Sequence, residues 1–214
     1  DQFDGIQLVA TGAAAASLNV AFVTRPLEDA AASLARARAW FAARKLLCSV
    51  RVRSGLDAET GRLTRAAGFS EVDTMPAMLL PRIGEQPPMP SDLDILRADE
   101  EGTASDLQRV LADGFPMPAE FAALLVAPPL RSHHATELYV GYHAGEPVAA
   151  SSLVITGDVA GVYNVATLPR FRRHGYGEAM TAHALGRGAE LGCSIGTLQA
   201  TLQGRSIYER MGFH

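Results

Sequence analysis

The sequence predicts an α+β, sandwich-like fold laid out in tandem. Strand-like and helix-like segments alternate along all 214 residues. The chain also matches itself when shifted by 145 positions: Leu8, Val9, Thr11 and Gly12 fall on Leu153, Val154, Thr156 and Gly157. In the same register Asn19-Val20-Ala21 falls on Asn164-Val165-Ala166 and Cys48-Ser49 on Cys193-Ser194, with Gly68-Phe69 on Gly212-Phe213 after a one-residue adjustment. So ungapped a run reads as a duplication. Lastly, a glycine loop, Arg172-Arg173-His174-Gly175-Tyr176-Gly177, separates a strand-like segment from a helix-like one.

The elements follow in order. Residues 6–11 and 18–24 read as strands, and 30–45 as a helix whose apolar face carries Leu34, Ala37 and Phe41, with Trp40 packing beside it. A strand is expected over 48–52, a helix over 58–67 closed by Gly68, and an extended tail over 71–80. Pro81, Pro87, Pro88 and Pro90 mark a linker. The expected division is therefore a degenerate half unit at 1–83, a Pro-rich linker at 84–92 and a second unit at 93–214 that lacks its closing strands. The second part opens on a strand at 93–97. Thr103 and Asp106 suggest a helix start, with Leu107, Val110 and Leu111 on one face, and a short helix is expected at 118–126. Segments 137–143 and 147–156 read as a hairpin turning at Ala144-Gly145-Glu146, followed by a strand at 162–167. A helix at 178–191, a strand at 195–200 and a last helix at 206–211 complete the pattern.

The glycine loop suits a pyrophosphate. Its glycines let backbone N–H groups approach a ligand, and the helix that follows directs its positive end to the same place. Arg172, Arg173 and His174 add donors. A dinucleotide fingerprint starting at Gly175 would need glycine where Met180 stands, and no Gly-Lys pair supports a P-loop. In the first copy the same positions are Leu27-Glu28-Asp29-Ala30-Ala31-Ala32, with no glycine, no cation and two acids. That copy keeps a scaffold and lacks the site.

The spacing Arg172-x-x-Gly175-x-Gly177, the approach Asn164-Val165-Ala166-Thr167-Leu168-Pro169 and the closing Tyr208-Glu209-Arg210-Met211-Gly212-Phe213 together resemble the GNAT N-acetyltransferases over residues 93–214. The resemblance implies a mixed, mostly antiparallel central sheet flanked by helices, and acetyl-CoA as co-substrate. It implies that strands 163–167 and 197–200 splay to hold pantetheine, with a backbone N–H, that of Val165, polarising the thioester carbonyl. The implied cofactor contacts are Asn164, Val165, Ala166, Thr167, Arg172, Arg173, His174, Gly175, Tyr176, Gly177, Glu178, Gln199 and Ser206. Tyr208 is the candidate general acid. The base stays open among Glu137, Glu120 and a water-relayed carboxylate. His183 and the buried thiol of Cys193 read as structural. The implied reaction is acetyl transfer to a primary amine by direct attack, and the alternative is an acyl-CoA sensor without turnover.

Composition bounds the rest. Hydrophobic residues make up 48% and charged residues 20%, and the net charge is −4 with scattered cations. This is a globular chain, not a nucleic-acid surface. No apolar run approaches a membrane span. Two cysteines fit a reducing, cytoplasmic setting, and the adjacent His133-His134 pair is unsuited to a metal. The expected partners are a small-molecule or peptide amine, with no nucleic acid and no membrane, and the chain is expected as a monomer or homodimer. Residues 1–12 enter the first copy midway, and the family pattern would continue past His214.

Overall fold

The computed structural model describes residues 1–54, 58–115 and 117–214 in two compact units, Asp1–Asp73 and Thr74–His214. In the first unit β1 (Gln2–Phe3), β2 (Ile6–Ala10), β3 (Asn19–Val23) and β4 (Ser49–Arg51) form one sheet in that order. β2 and β3 are antiparallel, and β4 joins β3 in parallel through the crossover helix α1 (Ala30–Ala42). α2 (Ala58–Ala66) follows. Leu34, Ala37 and Phe41 of α1 pack on Ile6, Leu8 and Ala21. Asp29 accepts a hydrogen bond from Ala32 N at 2.9 Å and so caps α1.

The second unit contains β5 (Ala77–Leu80), β6 (Asp94–Arg97), α3 (Glu101–Gly114), α4 (Ala119–Leu125), α5 (Pro128–Arg131) and β7 (Thr136–His143). It continues through β8 (Glu146–Thr156), β9 (Val159–Thr167), α6 (Tyr176–Glu190), β10 (Ile195–Gln199) and α7 (Arg205–Arg210). The sheet runs β5-β10-β9-β8-β7-β6, antiparallel except for β9 and β10. Two layers of apolar side chains cover it. Leu107, Val110 and Leu111 of α3 pack on Leu138, Val140 and Ala150. Met180, Ala184 and Leu185 of α6 pack on Leu153, Ala160 and Leu198 on the other side.

Three sequence expectations change. The tail expected to close the first copy instead gives β5 to the second sheet, where Met78 pairs with Leu198 and is buried. β5 thus lies on the far side of the expected linker from the unit it completes. The cofactor helix starts at Tyr176, two residues early, because Gly175 already supplies the left-handed turn that opens it. The ungapped repeat register does not carry into strand pairing. Ala10 pairs with Asn19 across a long connection, while Thr156 pairs with Val159 across a tight turn. Both units nonetheless run antiparallel hairpin, crossover helix, parallel strand, helix.

Candidate active site

β9 is longer than its partner. β10 pairs with it only from Ile195↔Val159 to Leu198↔Val162, and β9 runs on from Tyr163 to Thr167. β10 ends at Gln199, and Ala200 N bonds Pro76 O on the β5 side. Among the described residues the β10-facing edge of Tyr163–Thr167 has no strand partner, the requirement for a ligand that pairs like a strand. On the opposite edge the pairing of β9 with β8 shifts register between Ala150↔Ala166 and Ser152↔Tyr163. Asn164 sits in this bulge with φ 54°, and its side-chain amide donates to Ser152 Oγ at 3.1 Å. Asparagine tolerates that left-handed angle better than most residues. The bulge re-aims the backbone of Asn164 and Val165.

The loop after β9 closes one end of this slot. Gly175, with φ 81°, precedes α6, and no side chain caps the helix there. A helix N-terminus without a side-chain cap is the kind of place that receives an anion. A Cβ on Gly177 would meet Thr167 Oγ1 at 3.6 Å and Val165 Cγ1 at 3.9 Å, so the first turn adjoins the slot. α1 of the first unit differs at this place, because the Asp29 carboxylate occupies its N-terminus.

The other predicted loop residues are brought together in distinct roles. Arg172 donates through Nε to Thr167 O and through Nη2 to Gly114 O, both at 3.2 Å, clamping the loop to the ends of β9 and α3. Arg173 is exposed, with no hydrogen-bond partner among the described residues. His174 Nδ1 faces the carbonyls of Phe171 and Arg172, and its ring stacks on Tyr176. Tyr176 is buried. Glu178 lies in the first turn of α6, 3.8 Å from Arg210. Gln199, at the end of β10, and Ser206, on α7, are exposed.

Tyr208 is buried on α7, edge-on to Phe213. Burial pushes its phenol above the usual value, and the Thr181 hydroxyl facing it partly offsets this. Thr181 in turn donates to Gly177 O at 2.8 Å, so Tyr208, Thr181 and Gly177 form a line back to the slot. Sequence reasoning missed Thr181; its only signal is its place one turn after Gly177.

The structure does not bring Glu137 to the slot. It stands on β7, two strands from β9, about 10 Å across the sheet. Arg187 Nε (3.0 Å), Arg97 (3.3 Å) and the Tyr139 hydroxyl all donate to its carboxylate. Burial raises its proton affinity, but these donors outweigh it and hold the carboxyl below the usual glutamate range. That arrangement opposes uptake of a proton. Glu120 is exposed on the first turn of α4. Burial keeps the His183 imidazole toward its neutral form and raises the Cys193 thiol, in line with structural roles for both. Among the described residues no group of side chains could hold a metal, and no helix is long and apolar enough to cross a membrane. A separate open cleft of about 450 Å³ is lined by Arg109, Asp113, Leu168 and Arg170, and none of its lining residues belongs to α6 or to Tyr163–Thr167.

The model of the Acetyltransferase (GNAT) family matches residues 104–213, just over half of the chain. The chain belongs to this family. GNAT membership implies acyl transfer from an acyl-CoA. A GCN5-related N-acetyltransferase from Kribbella flavida is similar in structure, with TM-score 0.76 and 20% identity over 98% of this chain and 86% of that one. Another from Sphaerobacter thermophilus has TM-score 0.66 and 14% identity over 92% of this chain and 69% of that one. At such identities the two show a shared GNAT fold. No curated protein matches the chain by sequence.

Proposed function

We propose that this chain is an acetyl-CoA-dependent N-acetyltransferase whose second unit, Thr74–His214, does the chemistry. One observation carries the reading: β9 outruns its pairing with β10 directly beside an uncapped helix N-terminus. Acetyl-CoA supplies the activated acyl group. Backbone groups of Val165 and Thr167 pair with the pantetheine arm, and the first turn of α6 holds the pyrophosphate. The Val165 N–H stabilises negative charge developing on the thioester oxygen. A primary amine attacks the carbonyl carbon, the C–N bond forms and the C–S bond breaks. The surplus amine proton leaves to water, Tyr208 gives its proton to the departing sulfur, and water returns a proton to the phenolate. The first unit is a degenerate duplicate that binds no cofactor, because Asp29 fills the helix end where phosphate would sit.

Calorimetry with acetyl-CoA tests this, with one molecule bound per chain as the expected result. Two per chain would restore the first unit as a site, and none would remove the reading. The rival function, an acyl-CoA sensor, draws on the engagement of Glu137, which leaves no carboxylate assigned as base. Release of free thiol from acetyl-CoA with a panel of primary amines separates the two, since a sensor releases none.

A further inference from the structure

The residue between the two loop glycines is the most tightly held part of the candidate phosphate site. Tyr176 is the first residue of α6 and is 1% exposed. Its hydroxyl donates to Asp92 Oδ2 at 2.8 Å, and His143 Nδ1 lies 2.8 Å from the hydroxyl oxygen and 3.3 Å from Asp92 Oδ2. His143 Nδ1 also stands 3.1 Å from Asp92 O. The ring of His174 lies over Tyr176 at 5.6 Å, and that of Phe171 lies 5.7 Å from His143. Asp92 closes the Pro-rich segment before β6, and His143 ends β7, so two elements distant in sequence meet under one hydroxyl.

A glycine on each side of Tyr176 leaves the backbone there loose by itself. Gly175 is left-handed and has no side chain to pack. Beside the Arg172 clamp, the buried ring of Tyr176 and its two polar anchors hold the turn. The hydrogen bond from Tyr176 also lowers the proton affinity of the Asp92 carboxyl.

We infer that Asp92 and His143 are positioning residues for the pyrophosphate loop, acting through the Tyr176 hydroxyl to hold the first-turn N–H groups of α6 in the binding geometry. Pre-ordering the loop removes an ordering cost from cofactor binding. This rests on the acetyl-CoA reading of the same loop.

The test measures coenzyme A affinity by calorimetry in the full chain, beside thermal melts. Tyr176→Phe keeps the ring and removes the hydroxyl, and Asp92→Ala removes the acceptor. Each should weaken binding by about 5- to 30-fold, somewhat under the full value of a hydrogen bond to a charged group because Asp92 is half exposed. Asp92→Asn keeps an acceptor oxygen and should stay within about threefold of wild type. In the Tyr176→Phe background Asp92→Ala should cost nothing more, because both act through one oxygen. Unchanged affinity in folded Tyr176→Phe, or losses that simply add, would overturn the inference. Amide exchange of residues 175–179 in ligand-free protein separates the two readings. If wild type fails to bind coenzyme A, the acetyl-CoA assignment fails. Faster exchange in Tyr176→Phe would still support the tether, and unchanged exchange would overturn it as well.

Discussion

Gly177 of α6 lies against Thr167 of β9, so closely that a methyl group on Gly177 would stand 3.6 Å from the Thr167 hydroxyl oxygen. That spacing is ordinary van der Waals contact, so the free protein accommodates a small side chain. A larger one would reach into the space between α6 and the open edge of β9.

The two loop glycines should therefore respond differently to substitution. Gly175→Val meets no neighbour but must adopt a left-handed angle, which costs about 1–2 kcal/mol for a residue with a Cβ and more when it is branched. It should lower both the melting temperature and coenzyme A affinity. Gly177→Val sits in ordinary helix, where valine costs less than about 1 kcal/mol. It should melt near wild type and lose affinity by more than about 10-fold, a loss of over 1.4 kcal/mol in binding. If Gly177→Val binds coenzyme A normally in calorimetry, the slot is not where the ligand lies.

Much of this site was legible because its residues are constrained locally. A glycine loop, a strand before it and a helix after it are adjacent in sequence, and the structure sets them together as expected. What depends on long-range pairing was not legible. Asn19 and Asn164 match in sequence, yet Asn19 is buried and donates to Ala13 O, Ala15 O and Leu47 O, while Asn164 occupies a strand bulge. The letters coincide and the neighbours do not. Glu137 likewise read as a strand carboxylate of open purpose, because Arg97 and Arg187 lie 40 and 50 positions away. The tether under Tyr176 spans 84 positions to Asp92 and leaves no local pattern.

The pairing of β5 with β10 predicts where the second unit can be cut. Leu79 exchanges two backbone hydrogen bonds with His214, and Met78 is buried against the sheet. A chain beginning at Thr74 keeps these contacts. A chain beginning at Pro90 loses them and exposes the edge of β10, an unpaired strand open to other chains. The shorter chain should aggregate or melt well below the longer one, as size-exclusion chromatography and thermal scans would show. Equal melting of the two would mean that β5 contributes nothing to the fold.

Glu137→Gln separates a structural carboxylate from a base. The folded-state pKa lies below the unfolded one, so the stabilisation is present above about pH 4.3 and is lost as pH falls through the folded value. The variant should be less stable than wild type at pH 7 by about 1 kcal/mol, because Arg97 and Arg187 are partly exposed and water can replace the lost carboxylate. The gap should narrow as pH falls from about 4.3 through the lower folded value, where wild type also becomes protonated. Single-turnover acetyl transfer should be unchanged in the folded variant. A large fall in that rate with normal stability would return Glu137 to the reaction.

Tyr208→Phe probes proton delivery to the leaving sulfur. The phenol is held protonated, since burial raises it further above neutrality. A thiolate of ordinary cysteine-like basicity, near a pKa of about 8.5, is a weaker base than that phenolate, so transfer must be assisted by the site. The line from Tyr208 through Thr181 to Gly177 places the hydroxyl beside the first turns of α6 and not in bulk water. Removing only the oxygen keeps the ring against Phe213 and should leave coenzyme A affinity within about twofold, less than the loss of one hydrogen bond. Single-turnover rates should fall by about 10²–10⁴-fold, the range for loss of a general acid. A more acidic amine acceptor or a thioester with a better leaving thiol should recover part of the loss only in the second case, because that substrate needs less protonation at sulfur. Normal single-turnover rates in Tyr208→Phe would leave the residue a packing role, and a loss of coenzyme A affinity would assign it to binding.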